Sequence, residues 1–302
     1  MKKYLPILLC AVTLSCKQGY KSIPTADTTT ALLAPTRPAV AYNDEVLSQY
    51  SSFLGSLSDT VLTNTVVAAK RFSELFKGQD KNTCDSGYLM FENYHLALNG
   101  KLDEMHSKDG IGYDSVFTDT TQFPARLSLR LAELKENGFY VGSSEGMTFI
   151  QPDFDFVAKW FYGKVSPVMK TYLVQQNKED KERFSEDAGL MITPKQLAQR
   201  VVWWEDFFMN NPYSLITPRA KANWIMYLDV LLSGMDNSPV VEYADNTISP
   251  DYQMAYKYMQ RSHPISESNK FVAPYYELLL KKDKNGADRL LKQYRNQWAT
   301  DY

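Results

Sequence analysis

Histidine and cysteine are both scarce in this chain, with three of each in 302 residues. Three histidines leave little for a histidine-based metal centre, and no C-x-x-C pair is present. Neither a glycine-rich phosphate loop nor an EF-hand calcium loop occurs. No cofactor or metal is therefore expected. A surplus of one charge is also lacking: 33 Lys and Arg stand against 35 Asp and Glu, a net charge of −2. With no basic excess to neutralise phosphates, nucleic acid is excluded as an expected partner. Long apolar runs are missing too. The stretch from Leu5 to Leu14 is too short to cross a bilayer as a helix.

What the chain does have is aromatic bulk: 20 Tyr, 15 Phe and 5 Trp. Such residues either pack helices together or form stacking surfaces for sugars and peptides. The 44% apolar and 23% charged fractions are those of an ordinary globular protein with room for one large domain or two small ones.

The N-terminus carries the clearest functional signal. Met1-Lys2-Lys3 is basic, Leu5–Leu14 is apolar, and Ser15-Cys16 places a small residue before a cysteine. This three-part pattern reads as a cleavable signal peptide, residues 1–15. Thr13-Leu14-Ser15-Cys16 resembles the signal of bacterial lipoproteins, although Thr13 stands where that family commonly has Leu. The resemblance implies cleavage before Cys16, lipidation of Cys16 and a body facing the periplasm or cell surface. Lys17 stands where the enteric sorting rule places Asp for inner-membrane retention, which points to the outer membrane. Several acyl chains, each contributing ~0.8 kcal/mol per buried CH₂, would hold the protein at a membrane. With Cys10 removed and Cys16 lipidated, Cys84 stands alone and no intramolecular disulfide can form. Residues 16–42 are rich in Thr, Ala and Pro and aperiodic, so they read as a lipidated N-terminus and flexible tether. Roughly 25 such residues reach on the order of 80 Å when fully stretched.

Helical signals dominate the rest. Asn43-Asp44-Glu45 is a capped start, the apolar stripe from Leu47 to Leu75 is broken near Gly55 and Ser58-Asp59, and a second helix is expected over about 84–105. Pro124 opens a helix that Asn137-Gly138 closes. These make an N-terminal helical region, 43–138. The alternation Phe139-Tyr-Val141 and Met147-Thr-Phe-Ile150 about a Gly-flanked turn predicts a β-hairpin over 139–152. From 153 to 302 the pattern is helical again, continuous with the first region as one body. Ser166-Pro167, Thr193-Pro194, Thr217-Pro218 and Ser249-Pro250 each read as a hydroxyl cap before a first-turn proline. The fold class expected is mainly α: an array or irregular bundle of antiparallel helical hairpins with one small β-hairpin near 139–150.

Within 192–282, Asn211-Pro212-Tyr213-Ser214 corresponds to His263-Pro264-Ile265-Ser266, 52 residues later. This bend resembles the Tyr-Pro-x-Ser link of tetratricopeptide-like units over about 90 residues. The W-x₂-L-G-x₂-Y core of those repeats is absent, and the spacing exceeds their period of about 34 residues. The resemblance therefore implies hairpin repetition and no specific family.

Several groups are candidates for chemistry. Gly142-Ser-Ser-Glu-Gly146 matches G-x-S-x-G, but a strand-like run follows it where a nucleophile elbow needs a helix. Glu92-x-x-His95 has di-iron spacing, and its nearest echo, Asp103 and His106, falls on the same helix, too far along to share a centre. Trp203-Trp204-Glu205-Asp206 sets tryptophans beside carboxylates, as a sugar site does. Trp203, Trp204, Glu205 and Asp229 are thus the candidate ligand-facing aromatics and carboxylates, with Glu205 and Asp229 as a conceivable acid pair. Helical spacing of Leu197, Val201, Trp204 and Phe208 favours packing instead. The polar links 235–239 and 246–250 are candidates for display of binding groups.

The combined expectation is a membrane-anchored, periplasm-facing helical lipoprotein. It would act as a non-catalytic binding or scaffold module for a protein or glycan partner. Its surface would be a groove with exposed aromatics between hairpins 194–233 and 250–282. The alternatives are a cell-envelope carbohydrate hydrolase using carboxylates near Trp203 and Trp204, and a solute-binding component of an uptake or assembly system.

Overall fold

The computed structural model describes residues 41–118, 123–242 and 247–301. The expected signal peptide, Cys16 and most of the expected tether lie outside the described residues. Asn43 accepts a bond from Val46 N (3.2 Å) and opens α1 (Asp44–Ser56), with Asp44 and Glu45 at the positive end of the helix dipole. A turn separates α1 from α2 (Asn64–Leu75), where the sequence signalled a break. α3 (Lys81–His106) begins earlier than apolar periodicity suggested. The reason is a cap: the Asp80 carboxylate accepts Asn82 N and Thr83 N at 2.9 Å each. α4 (Ala125–Glu136) leads through Gly138, at φ 83°, into β1 (Phe139–Ser144). β1 pairs antiparallel with β2 (Met147–Pro152), and Ser144 faces Met147 across a two-residue turn. Glu145 and Gly146, at φ 51° and 76°, supply the left-handed pair that such a turn needs. The G-x-S-x-G match is thus a hairpin turn leading into a strand, without the helix of a nucleophile elbow.

The histidines of α3 fix this hairpin to the helix. His95 Nε2 lies 3.0 Å from Gly138 O, and His106 Nε2 lies 3.1 Å from Thr148 O. Asp103 accepts Ile150 N at 2.8 Å. No group of three or more metal-binding side chains is found among the described residues.

Seven helices follow: α5 (Phe154–Phe161), α6 (Pro167–Lys181), α7 (Pro194–Asn210), α8 (Thr217–Ser233), α9 (Pro250–Ser262), α10 (Glu267–Leu280) and α11 (Lys284–Asp301). With eleven α-helices and only two-stranded sheets among the described residues, the fold is mainly α. Two of the four expected hydroxyl caps form. Ser166 accepts Met169 N at 3.0 Å, and Thr193 makes a reciprocal capping box with Gln196. Thr217 is itself helical, because the preceding bend already turns at Ile216 (φ −93°, ψ −5°). Ser249 makes no side-chain cap.

The duplicated bend is real in backbone geometry. Asn211 has φ −130°, ψ 52° and His263 has φ −136°, ψ 50°. Each is followed by a turn closed by Ser214 N onto Asn211 O and Ser266 N onto His263 O, both at 3.2 Å. The repeat also contains something the sequence did not show. β3 (Ser185–Glu186) and β4 (Gly189–Leu190) form a minute hairpin before α7, and β5 (Gly234–Met235) and β6 (Ser238–Pro239) form another before α9. The two tips bond to each other: Asn237 N donates to Ala188 O (2.9 Å), and Leu190 N donates to Ser238 Oγ (2.9 Å). The expected polar link 235–239 is therefore part of a structured element. The helix bends line one edge of the array and these hairpins line the other, about 25 Å away at 1.5 Å per residue along α7.

Aromatic residues of α7 to α10 interlock instead of lining a groove. Trp204, Phe207, Phe208, Trp224, Tyr252, Tyr256, Phe271 and Tyr275 are all buried. Trp224 Nε1 donates to Ser268 Oγ (2.7 Å), and Tyr256 OH to Leu231 O (2.9 Å). The aromatic-lined groove expected between hairpins 194–233 and 250–282 is thereby replaced by core, since 3.6-residue spacing turns these rings inward.

Candidate binding cleft

A cleft of about 810 Å³ opens on the hairpin edge. One wall is the β1–β2 sheet with the corner that follows it, presenting Tyr140, Asp153 and Asp155, with Lys135 of α4 beside them. Opposite is the charged end of α6, Asp180-Lys181-Glu182-Arg183. Glu186 of β3 and the segment Met191-Ile192 with Gln196 complete it. Two adjoining depressions share Ile192 with it. One, about 380 Å³, adds Gln175, Lys178, Glu179, Gln199, Arg200 and Trp203. The other, about 500 Å³, adds Asn237, Glu242, Asp251 and Tyr252.

The first cleft is held in shape by bonds between its walls. Lys181 Nζ lies 2.6 Å from Asp155 Oδ1, which also accepts Asn177 Nδ2 at 3.0 Å. The lysine and the amide hold the Asp155 carboxyl below the usual carboxylate range. Tyr140 OH donates to Gln151 Oε1 at 2.7 Å and lies 3.4 Å from both Asp180 oxygens. Arg183 reaches across to Ser143 O at 3.2 Å. Burial pushes the Asp180 carboxyl up from its ordinary value, and Tyr140 and Arg183 offset part of that.

Under the second depression lies Glu179. Its carboxylate accepts Gln175 Nε2 (2.7 Å), Tyr227 OH (2.9 Å) and Trp204 Nε1 (3.1 Å). Burial still raises its pKa, because desolvation outweighs these donors. Arg200 stands beside it, donating to Tyr227 OH (3.3 Å) and to Glu182 O.

The four candidates from the sequence are scattered. Trp203 is half-buried, stacks on Phe207 (5.4 Å, 15°) and borders the second depression. Trp204 is fully buried, and the carboxylate its indole meets is Glu179, not Glu205. Glu205 is 5% exposed and caps α10, accepting Glu267 N (2.6 Å), Ser268 N (2.9 Å) and Ser268 Oγ. Asp229 makes a bidentate pair with Arg295 of α11 at 2.7 and 2.9 Å. The acid-pair reading of Glu205 and Asp229 loses its basis, because each carboxylate serves a different helix contact and Glu205 has no opening to a ligand. Cys84, the cysteine left without a disulfide partner, is buried, and burial pushes its thiol up.

Sequence reasoning missed Asp155, Asp180 and Arg183. Their only signal is the charge-dense run Lys178–Arg183 together with Asp153 and Asp155, residues brought together by the hairpin and the α5–α6 corner. Comparison with protein-family models, with curated proteins and with solved structures finds no match to this chain.

Proposed function

We propose that this protein is a lipid-anchored, non-catalytic binding module of the bacterial cell envelope and that the cleft on its hairpin edge takes a glycan. The observation that carries this reading is the composition of the cleft. Carboxylates, two lysine ammonium groups, a guanidinium, the Gln196 amide and a phenol line a space of about 810 Å³, with Trp203 on the rim of the adjoining depression. Sugar hydroxyls both donate and accept, so they match a wall of mixed polarity, and an indole face supplies a stacking plane. The volume is that of a small-ligand site. A protein partner would call for a larger apolar centre than Met191 and Ile192 provide.

Titration calorimetry with a panel of neutral and acidic oligosaccharides is expected to find at least one ligand. Arg183→Ala and Trp203→Ala are each expected to weaken it about tenfold, roughly 1.4 kcal/mol. Binding unaffected by either change would move the site elsewhere, and a silent panel alongside capture of a defined protein would favour the protein partner. Anchoring has its own test. Cys16→Ser is expected to shift the protein from the membrane fraction to the soluble envelope fraction.

A second reading, carbohydrate hydrolysis, is favoured by one observation: burial raises Asp180 in the cleft and Glu179 under the adjoining depression, as a general acid requires. New reducing ends that appear with wild type and not with Asp180→Asn or Glu179→Gln would select it over binding alone.

A further inference from the structure

We infer that the ligand is a neutral glycan chain of several units, laid along a groove between α6 and α7 with one end in the cleft. The inference rests on the glycan reading of the cleft and adds the ligand's length, path and charge.

The groove is the second depression. One side presents Gln175, Lys178, Glu179 and Glu182, and the other presents Gln196, Gln199, Arg200 and Trp203. Both sets run i, i+3, i+4, i+7, the spacing that lines side chains along one face of a helix. Two such stripes facing each other make a trough, and seven residues at 1.5 Å each give it a length of about 10 Å. Glu182 and Gln196, at the near end of each stripe, also line the first cleft, and Ile192 lies at the junction. Trough and cleft are therefore continuous, and their volumes of about 380 and 810 Å³ are each of small-ligand size. A ligand confined to one leaves the other to water, whereas a chain uses both.

The trough is fixed before a ligand arrives. At the junction Gln196 Oε1 accepts Thr193 N and Thr193 Oγ1 at 2.9 Å each. Glu179 is held by Gln175, Trp204 and Tyr227. At the far end Trp203 stacks on Phe207 and stands edge-on to Trp204 at 82°. Walls set in advance lower the ordering cost of binding, and a half-buried indole ending a polar trough is a platform for a sugar ring. The third depression has no such platform, because Tyr252 is 2% exposed.

The charges point to a chain without ionised groups. Six carboxylates stand against five cations over the two spaces, so neither sign dominates. A sugar carboxylate or sulfate is read best by a guanidinium fork. Both guanidiniums are committed within the protein, Arg183 to Ser143 O and Arg200 to Tyr227 OH and Glu182 O. Lys181 is likewise paired with Asp155. An amine meets the same obstacle, since Asp155 is taken by Lys181 and Asn177, and Glu179 by its three donors.

Calorimetry on the full chain tests this with neutral oligosaccharides of two and six units from gluco-, manno-, xylo- and galacto- series, beside uronate chains of the same lengths. A neutral hexasaccharide should bind at least about tenfold more tightly than its disaccharide. Arg183→Ala and Trp203→Ala should each weaken the hexasaccharide, whereas the disaccharide, which occupies one space, should respond to only one of them. Gln199→Ala changes an exposed position on the trough and should also weaken the hexasaccharide several-fold, which covers the case in which Trp203→Ala lowers stability. Equal affinity for two and six units, or a hexasaccharide indifferent to both trough substitutions, would overturn the chain in the groove and leave the glycan reading of the cleft standing. Preference for the uronate chains would overturn the neutral class. Silence of every oligosaccharide would overturn the glycan reading, and this inference with it.

Discussion

Glu205→Ala is expected to lower the unfolding free energy by about 3–5 kcal/mol, the range for removing one partner of a buried charged contact. Glu205 sits on α7 with its carboxylate against the first turn of α10, where two backbone N–H groups and the Ser268 hydroxyl point at it. The N-terminus of a helix carries partial positive charge, so an anion there gains from both the dipole and the hydrogen bonds. Ser268 in turn accepts Trp224 Nε1 at 2.7 Å. One carboxylate thus links α7, α10 and α8 through a buried chain of donors. Alanine would orphan the two Ser268 donors where water cannot reach them, since Ser268 has no exposed surface. Glu205→Gln keeps the volume and one acceptor but turns an amide N–H₂ toward other donors, so about half the loss is expected. Urea denaturation followed by tryptophan fluorescence measures both. A catalytic Glu205 would give the opposite pattern, with activity lost and stability nearly kept.

The second large effect concerns acid. His95 is buried among Phe91, Phe139 and Phe156, and burial lowers its pKa from 6.5 to about 4, with the bond to Gly138 O offsetting only part. The unfolded chain takes up this proton near pH 6.5, whereas the folded chain resists until about pH 4. Between these values the unfolded state holds more protons. The stability His95 confers is therefore complete above pH 6.5 and falls as pH drops toward 4, at about 1.4 kcal/mol per pH unit and roughly 3 kcal/mol in all. Asp85, Glu179 and Asp180 act in the opposite sense, because burial raises their carboxyl pKa values and protonation relieves the folded state. Net acid sensitivity is thus smaller than the histidine alone would give. His95→Gln keeps a donor for Gly138 O and removes the titration. The difference between the wild-type and His95→Gln stability curves over pH 4–7 should show the histidine slope, and parallel curves would mean that His95 is solvated.

Both residues show how local pattern and tertiary role part company. Glu205 beside two tryptophans looks like a sugar site on one helix, and His95 three residues after Glu92 looks like a metal ligand. Each is assigned by a partner 43 to 63 residues away: Gly138 for His95, Ser268 for Glu205. Sequence spacing along a helix fixes which side a residue faces, not what it meets there. The same limit applies to the cleft. Asp155 and Lys181 are 26 residues apart, and Arg183 reaches Ser143 across 40, so no local window contains the constellation.

The sequence by itself determined the helices, the main β-hairpin and the duplicated bend. Periodicity, proline positions and glycine turns act over a few residues and need no distant partner, which is why α4 and the hairpin of β1 and β2 fall where expected. Helix spacing also determined that Trp204 and Phe208 would pack. The tertiary structure alone decided that the aromatic face of α7 to α10 closes into core, that the minute hairpins join into one edge, and that the charged end of α6 meets β1 across a cleft. Those outcomes depend on burial and hydrogen bonds between segments far apart in sequence, and such energies exist only once the chain has folded.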